Sequence, residues 1–386
     1  MIKLLSFALV CVCTLACGFA QAQEPLLDSA SLAEKPEFSS FGQALKNPLE
    51  VYKLKLYSGI RDHESSRDFA KFKNLVWLQL ALPMYDEPAL FKAIGSLTRL
   101  EELILSPLST LCEEVKQLKK LKKLNLREGD FRTLPKEIGE LKNLKELSVG
   151  MSMYFTTLPK EMSNMTNLEN LYLYYNESLT IFPSVIGQLK KLKQLSVSHC
   201  NLTSIPKEIG NLTNLEGLSL SFNNNLTILP AEIGKLKNLK GLDVSNCGKI
   251  IILPKEIGNL ERLERLILGS NENLKSLPKE IGKLKNLKGL YLQSCDLTML
   301  PTEIGNLTNL EVLHLYGNKN LTTLPAEIGK LKNLKQLFLL SCYKLTTLPK
   351  EISNLTNLQE LALSGAGISK DEIAKIQQLL PNCKIY

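Results

Sequence analysis

Three histidines, nine cysteines and a scatter of serines are the side chains from which this sequence could build a reactive centre. His63, His199 and His314 lie far apart, and none stands in a Cys, Asp or Glu cluster at metal-ligand spacing. Ser196 and Ser219 lack the Gly-x-Ser-x-Gly turn and the paired His and Asp that would activate a hydroxyl. No phosphate-cradling Gly-Lys loop or dinucleotide fingerprint occurs. The expectation is therefore no catalytic residue, no metal and no cofactor. Four of the cysteines follow a different logic: Asn176, Cys200, Asn223, Cys247, Asn271, Cys295, Asn318 and Cys342 alternate at steps of 23 or 24 residues. An Asn in such a slot can donate to and accept from turn backbone that would otherwise be buried without partners, and Cys fills it as a small, weakly bonding residue. Cysteines two steps apart stand ~10 Å apart if each step is one strand, beyond the ~7 Å a disulfide tolerates. Cys112 and Cys383 lie near opposite ends of the chain and cannot meet, so buried free thiols are expected.

The elements that carry this ladder are legible from the leucines. L-x-x-L-x-L recurs fourteen times, from Val51-Leu54-Leu56 through Leu75, Leu100, Leu121 and Leu144 to Leu358, and from Leu121 onward the step is always 23 or 24 residues. Alternate inward leucines describe a short strand. A turn and then Leu-Pro-x-Glu-Ile-Gly follow, as in Leu229-Pro230-Ala231-Glu232-Ile233-Gly234. Pro suits a first helical position, Glu the positive helix end and Gly the exit, so a short helical return on the outside is expected. One such unit buries its apolar side only against its neighbours; fourteen strands at ~4.8 Å make an inner edge on the order of 65 Å.

Units such as Leu215-Glu-Gly-Leu218-Ser-Leu220-Ser-Phe-Asn223, followed by Leu229-Pro230-Ala-Glu-Ile-Gly, resemble the leucine-rich repeat family. Their phasing is similar to the Ras-group-related and bacterial subtypes with Leu-Pro-x-Glu-Ile-Gly. The resemblance implies an α/β fold, a leucine-rich repeat solenoid or horseshoe, with a parallel concave β-sheet of about 14 strands and short helical segments on the convex side. It also implies binding, without saying to what.

The first 22 residues read as a signal peptide: Lys3 is its one charge, an apolar run covers Leu4 to Ala16, and Ala20-Gln21-Ala22 offers small residues for cleavage after Ala22. Thr14-Leu15-Ala16-Cys17 is a weak lipobox, which leaves a lipid anchor at Cys17 as an alternative. Residues 23–50 read as a leader and N-terminal cap, flexible to about 37 and then a short helix at Phe41 to Leu45; 51–365 as the array; and 366–386 as a C-terminal cap opened by the capping box Ser369 to Glu372 and closed by an edge at Lys384 to Tyr386. These features point to a secreted, periplasmic or cell-surface protein with no membrane span in the mature chain. The net charge of +8 is modest, and Lys and Glu are interspersed, so a solvated outer face is expected and nucleic-acid binding is not.

Recognition is expected on the outward columns of the strands, which vary while the leucine columns stay fixed. Ile267, Tyr291, His314, Tyr316, Phe338 and Leu340 gather in the late repeats, and Tyr172 and Tyr174, with Tyr175, in the middle ones. Contiguous exposed aromatics usually mark an interface. The expected function is a non-catalytic exported module, a monomer, that binds a protein or cell-surface partner through its concave face. A structural or adhesive envelope component and an intracellular Ras-type scaffold are the alternatives.

Overall fold

The structure, a computed structural model, describes residues 29–57, 67–81, 87–107 and 110–386. The expected signal peptide, its Cys17 alternative and His63 lie outside the described residues.

Each leucine unit folds as its alternation dictates. In Leu263-Glu-Arg-Leu266-Ile-Leu268, the leucines are buried while Ile267 is half-buried on the opposite face. A strand of three to five residues cannot stand alone. Here each pairs with the next in parallel and in register, so that Leu218, Leu242, Leu266, Leu290, Leu313 and Leu337 form one continuous inward column. The result is a single sheet of sixteen parallel strands, each bonded to its sequence neighbours. The strands that matter for the surfaces below are β6 (Glu146–Gly150), β7 (Asn170–Tyr174), β8 (Gln194–Ser198), β9 (Gly217–Ser219), β10 (Gly241–Asp243), β11 (Arg265–Ile267), β12 (Gly289–Tyr291), β13 (Val312–His314) and β14 (Gln336–Phe338). One hydrophobic core runs without interruption from Phe41 to Cys383.

Two strands beyond the expected fourteen lie at the ends. The stretch read as a flexible leader instead forms helix α1 (Ser29–Glu34) and strand β1 (Glu37–Phe38), which pairs with β2 (Lys53–Leu56). After helix α2 (Phe41–Ala44), Phe41, Phe69 and Phe72 pack ring against ring and cover the first repeat. At the other end Ser369 Oγ accepts a hydrogen bond from the Glu372 amide at 3.2 Å, opening a terminal helix (Lys370–Leu379) whose chain returns as β16 (Lys384–Ile385).

The outer segments are 3-10 turns from Glu113 onward, after an α-helix at Glu87–Gly95, and two details of the Leu-Pro-x-Glu-Ile-Gly reading need correction. Pro230, at φ −67° and ψ 148°, is extended and precedes the helical turn Ala231–Lys235 instead of beginning it. Glycine serves stacking rather than the helix exit. A Cβ on Gly234 would lie 2.6 Å from the carbonyl oxygen of Glu256 in the next repeat, and one on Gly258 only 2.3 Å from that of Glu280. A side chain there crowds the next turn, which favours glycine in most repeats, with Ser163 and Ser353 among the exceptions.

Candidate interaction surface

On the concave face the sheet register carries Ile267, Tyr291, His314 and Phe338 onto directly adjacent strands. Their rings touch. Tyr291 meets His314 edge-on with centroids 5.0 Å apart, His314 stacks on Phe338 at 4.5 Å and 9°, and Tyr316 leans toward His314 at 6.3 Å. The Arg265 guanidinium lies 6.0 Å from the Tyr291 ring. Burial among these rings holds the His314 imidazole below its ordinary range, and its Nε2 is enclosed without a hydrogen-bond partner. The imidazole is thus neutral and behaves as one more flat ring. Tyr316 is exposed; Ile267, Tyr291, Phe338 and Leu340 are half-buried.

The middle pair, Tyr172 and Tyr174, sits four strands away, both half-buried on β7. Between the two groups the sheet is floored by Ser196, Gly217, Ser219 and Gly241, with Asp243 and Arg265 among the lining side chains of a shallow recess of about 270 Å³. Strands β8 to β10 therefore separate the two apolar groups by a small-residue saddle.

Beneath the turns the Asn/Cys ladder forms as its spacing implied. Asn223 Nδ2 donates to the carbonyls of Val197 and Leu220, each at 2.7 Å, while its Oδ1 accepts from the Leu202 amide at 3.1 Å. Asn271 repeats this with Val244, Leu268 and the Cys247 amide, and Asn318 with Leu292, Leu315 and the Leu297 amide. Asn176 joins Val149 and the Ser152 amide. In the alternate repeats Cys247, Cys295 and Cys342 point Sγ at the carbonyls of Leu220, Leu268 and Leu315, each at 3.3 Å, and Cys200 reaches Leu173 at 3.9 Å. Cys200, Cys247, Cys295, Cys342 and Cys383 are free thiols. Burial pushes Cys247 up to about 12 and Cys200, Cys295 and Cys342 up to about 11, so the four ladder thiols are inert near neutrality.

A third set of residues, of which the strand columns had singled out Tyr175 alone, lies just beyond the strands. The residue that follows the strand region is left-handed in eleven successive repeats, from Glu128 at φ 54° to Gly365 at φ 72°. Late repeats place Asn246, Ser270, Ser294, Gly317 and Ser341 there, as that conformation favours for Asn and Gly; the middle ones place Met151, Tyr175, His199 and Phe222. Tyr175 stacks on His199 at 4.2 Å and 17°, and His199 on Phe222 at 4.0 Å and 11°. Tyr175 and Phe222 remain 47% and 42% exposed. The signal was present in the sequence as a column of turn formers interrupted by three successive rings, Tyr175, His199 and Phe222.

Those residues belong to one flank of the solenoid, the side on which the chain leaves each strand. Its segments stack through backbone bonds such as Thr203 N to Thr180 O at 3.0 Å and through the bridge between Ile181 and Ser204. On the opposite flank, where the chain enters each strand, Lys193–Glu169, Lys240–Glu216, Lys288–Glu264 and Lys335–Glu311 close at 2.7 to 2.9 Å. A second asparagine row runs there, with Nδ2 of Asn214, Asn238, Asn309 and Asn333 each 2.8 Å from a carbonyl of the preceding repeat. Among the described residues no group of three or more His, Cys, Asp or Glu could hold a metal ion, and no helix is long and apolar enough to cross a membrane.

The comparisons with known proteins agree with this geometry. A model described as leucine-rich repeat region matches residues 60–202, 180–293 and 269–381. No curated relative matches the chain. Among solved structures, a leucine-rich repeat protein of Leptospira interrogans is 34% identical over 91% of this chain and 99% of its own, with a TM-score of 0.59. An internalin of Listeria monocytogenes (21% identity; 90% of this chain, 92% of its own; TM-score 0.66) shares the fold, as does a chain of the Drosophila Toll–Spatzle complex (18%; 90% and 52%; 0.69). Sixteen stacked parallel strands, the leucine columns and a matching family model over most of the length lead to one conclusion: the chain belongs to the leucine-rich repeat family.

Proposed function

We propose that this protein is a non-catalytic, exported interaction module that engages a protein or cell-surface partner through the concave face of its sheet. The observation that carries the reading is the contact of Tyr291, His314 and Phe338 on three adjacent strands, flanked by Ile267, Tyr316 and Leu340. Half-buried rings that brace one another lose little freedom on binding, and central aromatic anchors dominate interface energies. Tyr172 and Tyr174, across the saddle, form a second anchor. The fold supports this use, because outward columns can vary without touching the core. The solved structures that share the fold include an internalin and the Toll–Spatzle complex, which is consistent with a role in recognition.

The test compares three immobilised forms against an extract of the surrounding compartment. A partner retained by the wild type and by Lys237→Ala/Lys285→Ala, whose side chains lie on the outer 3-10 side, should be lost from Tyr291→Ala/Phe338→Ala. The loss should reach about 30-fold, or ~2 kcal/mol. Retention by the aromatic double variant and loss by the lysine pair would place recognition on the convex side and end the concave reading.

A further inference from the structure

Apart from Tyr316 at its edge, the exposed apolar side chains are not on the concave face. Of the sixteen large apolar or aromatic side chains that stand exposed among the described residues, thirteen lie between a strand and the next 3-10 turn, on the strand-exit flank. Met151, Met153, Tyr154, Tyr175, Ile181, Phe222, Ile228, Ile251, Ile252 and Met299 make a row from the repeat of β6 to that of β12, with Ile181 at 67% and Ile251 at 62% exposure. Charge is depleted along its first half. Segments 150–159, 174–183, 198–206 and 221–230 contain one carboxylate, Glu177, and no Lys or Arg. Tyr175, His199 and Phe222 are moreover held left-handed, a conformation that costs bulky residues on the order of 1 kcal/mol each. The left-handed position recurs in eleven repeats, but only here does it carry rings, two of them exposed, and that choice of residue points to use.

We infer that this flank is the seat of a two-fold dimer formed with a second copy of the chain. Three observations select that occupant. The first is pitch: the rows repeat at the strand spacing of ~4.8 Å, and a second solenoid of the same pitch, running antiparallel, meshes with them along their whole length. The second is area. Six strand steps give ~30 Å, and the six steps from Tyr175 to Ile181 span at most about 20 Å, so each copy can bury up to roughly 600 Å² and the pair up to about 1,200 Å², a ceiling that reaches the ~1,000 Å² a specific interface requires. The third is electrostatic: two copies of net charge +8 repel wherever lysines face each other, and this flank is where they do not. The dimer leaves the concave face open, so the inference stands independently of the function proposed above. It replaces the monomer expected from the sequence.

Sedimentation equilibrium on the full chain at about 50 μM tests it. The wild type should sediment as a dimer, as should Leu379→Asp, which places a charge on an exposed apolar residue of the terminal helix. Phe222→Asp/Ile228→Asp should dissociate with a Kd at least ~30-fold higher, with an unchanged far-ultraviolet circular dichroism spectrum that separates lost association from lost fold. Asn224 is exposed near the centre of the row, so Asn224→Cys should oxidise to a disulfide-linked dimer even if the double variant fails to fold. A wild type that is monomeric throughout, a double variant that stays dimeric, or a monomer that instead pellets with phosphatidylcholine vesicles would each overturn the proposal.

Discussion

The two flanks of the solenoid are built from the same repeat and solve the same stacking problem by different means. On the strand-entry flank, side chains join the repeats: Lys240 pairs with Glu216, Lys288 with Glu264, and Asn238 reaches the Thr213 carbonyl. Those positions are committed, since a change of residue type breaks a rung. On the strand-exit flank the backbone does the joining, through Phe222 N to Ser245 O at 2.9 Å and Asn246 N to Gly269 O at 2.9 Å, with the Asn/Cys ladder underneath. Side chains such as Asn201, which donates to the Glu177 carbonyl, and Asn320, which donates to Asp296, add to it, but the outermost apolar ones, Tyr175, Ile181, Phe222 and Ile228, are relieved of that duty. One flank's surface is therefore dictated by stacking, and the other's is available for selection by a partner.

The largest expected effect tests whether the thiols are as enclosed beneath the exit flank as this contrast requires. Their folded pKa values lie near 11 to 12 against 9.0 for an ordinary thiol, so above pH 9 the unfolded chain sheds protons that the native one retains. Stability is then fully present below pH 9 and falls as pH rises through the folded values. The denaturant midpoint should hold to pH 8 and drop steeply between pH 9 and 11, less steeply in Cys247→Ala. A profile flat to pH 11 would show that the ladder is open to water.

A smaller effect sharpens the contrast between the two asparagine rows. Asn223→Ala, on the exit side, removes a buried amide from two carbonyls and one N–H and should cost ~1–3 kcal/mol. Asn238→Ala, on the entry side, frees an exposed carbonyl to bond water and should cost under ~0.5 kcal/mol. Equal costs by urea titration would erase the distinction. The smallest effect has the opposite sign. Phe222→Asn places a residue suited to φ 59° at a strained position and should stabilise the isolated chain by up to ~1 kcal/mol, visible as a raised thermal midpoint under monomeric conditions; a clear loss would mean the ring stack outweighs the strain.

Most of the fold was legible because its signals repeat. The leucine columns, the Asn/Cys slots and the Ser369 capping box each rest on a spacing, and the structure places them where that spacing requires. What was missed depends on backbone geometry that spacing alone does not encode. The glycine of Gly258 looked like a helix exit because helices commonly end that way; its role is set by a carbonyl in the next repeat, a contact across 22 residues. The strand at Glu37–Phe38 carries no repeat signature and is specified by the open edge of β2. His199 and Phe222 escaped notice because a strand pattern was extended outward by alternation, and the chain turns left-handed at just that residue. The concave residues Ile267, Tyr291, His314 and Phe338 were brought together by register, which the sequence does specify.

The alternation of Asn with Cys, and of Glu with Lys, gives this array a parity. Removing two adjacent repeats leaves every seam as it was, with unlike residues facing across each joint. Removing one does not. Loss of the single repeat that carries Glu264 and Asn271 would set Lys240 against Lys288 and bring Cys247 beside Cys295. Those two thiols would then be one strand apart, ~4.8 Å, inside the ~4.4–6.8 Å at which cysteines bridge. In an oxidising compartment an odd deletion would be locked by a covalent bond that the even-numbered array never forms, so the gene can lengthen or shorten this surface freely only in steps of two.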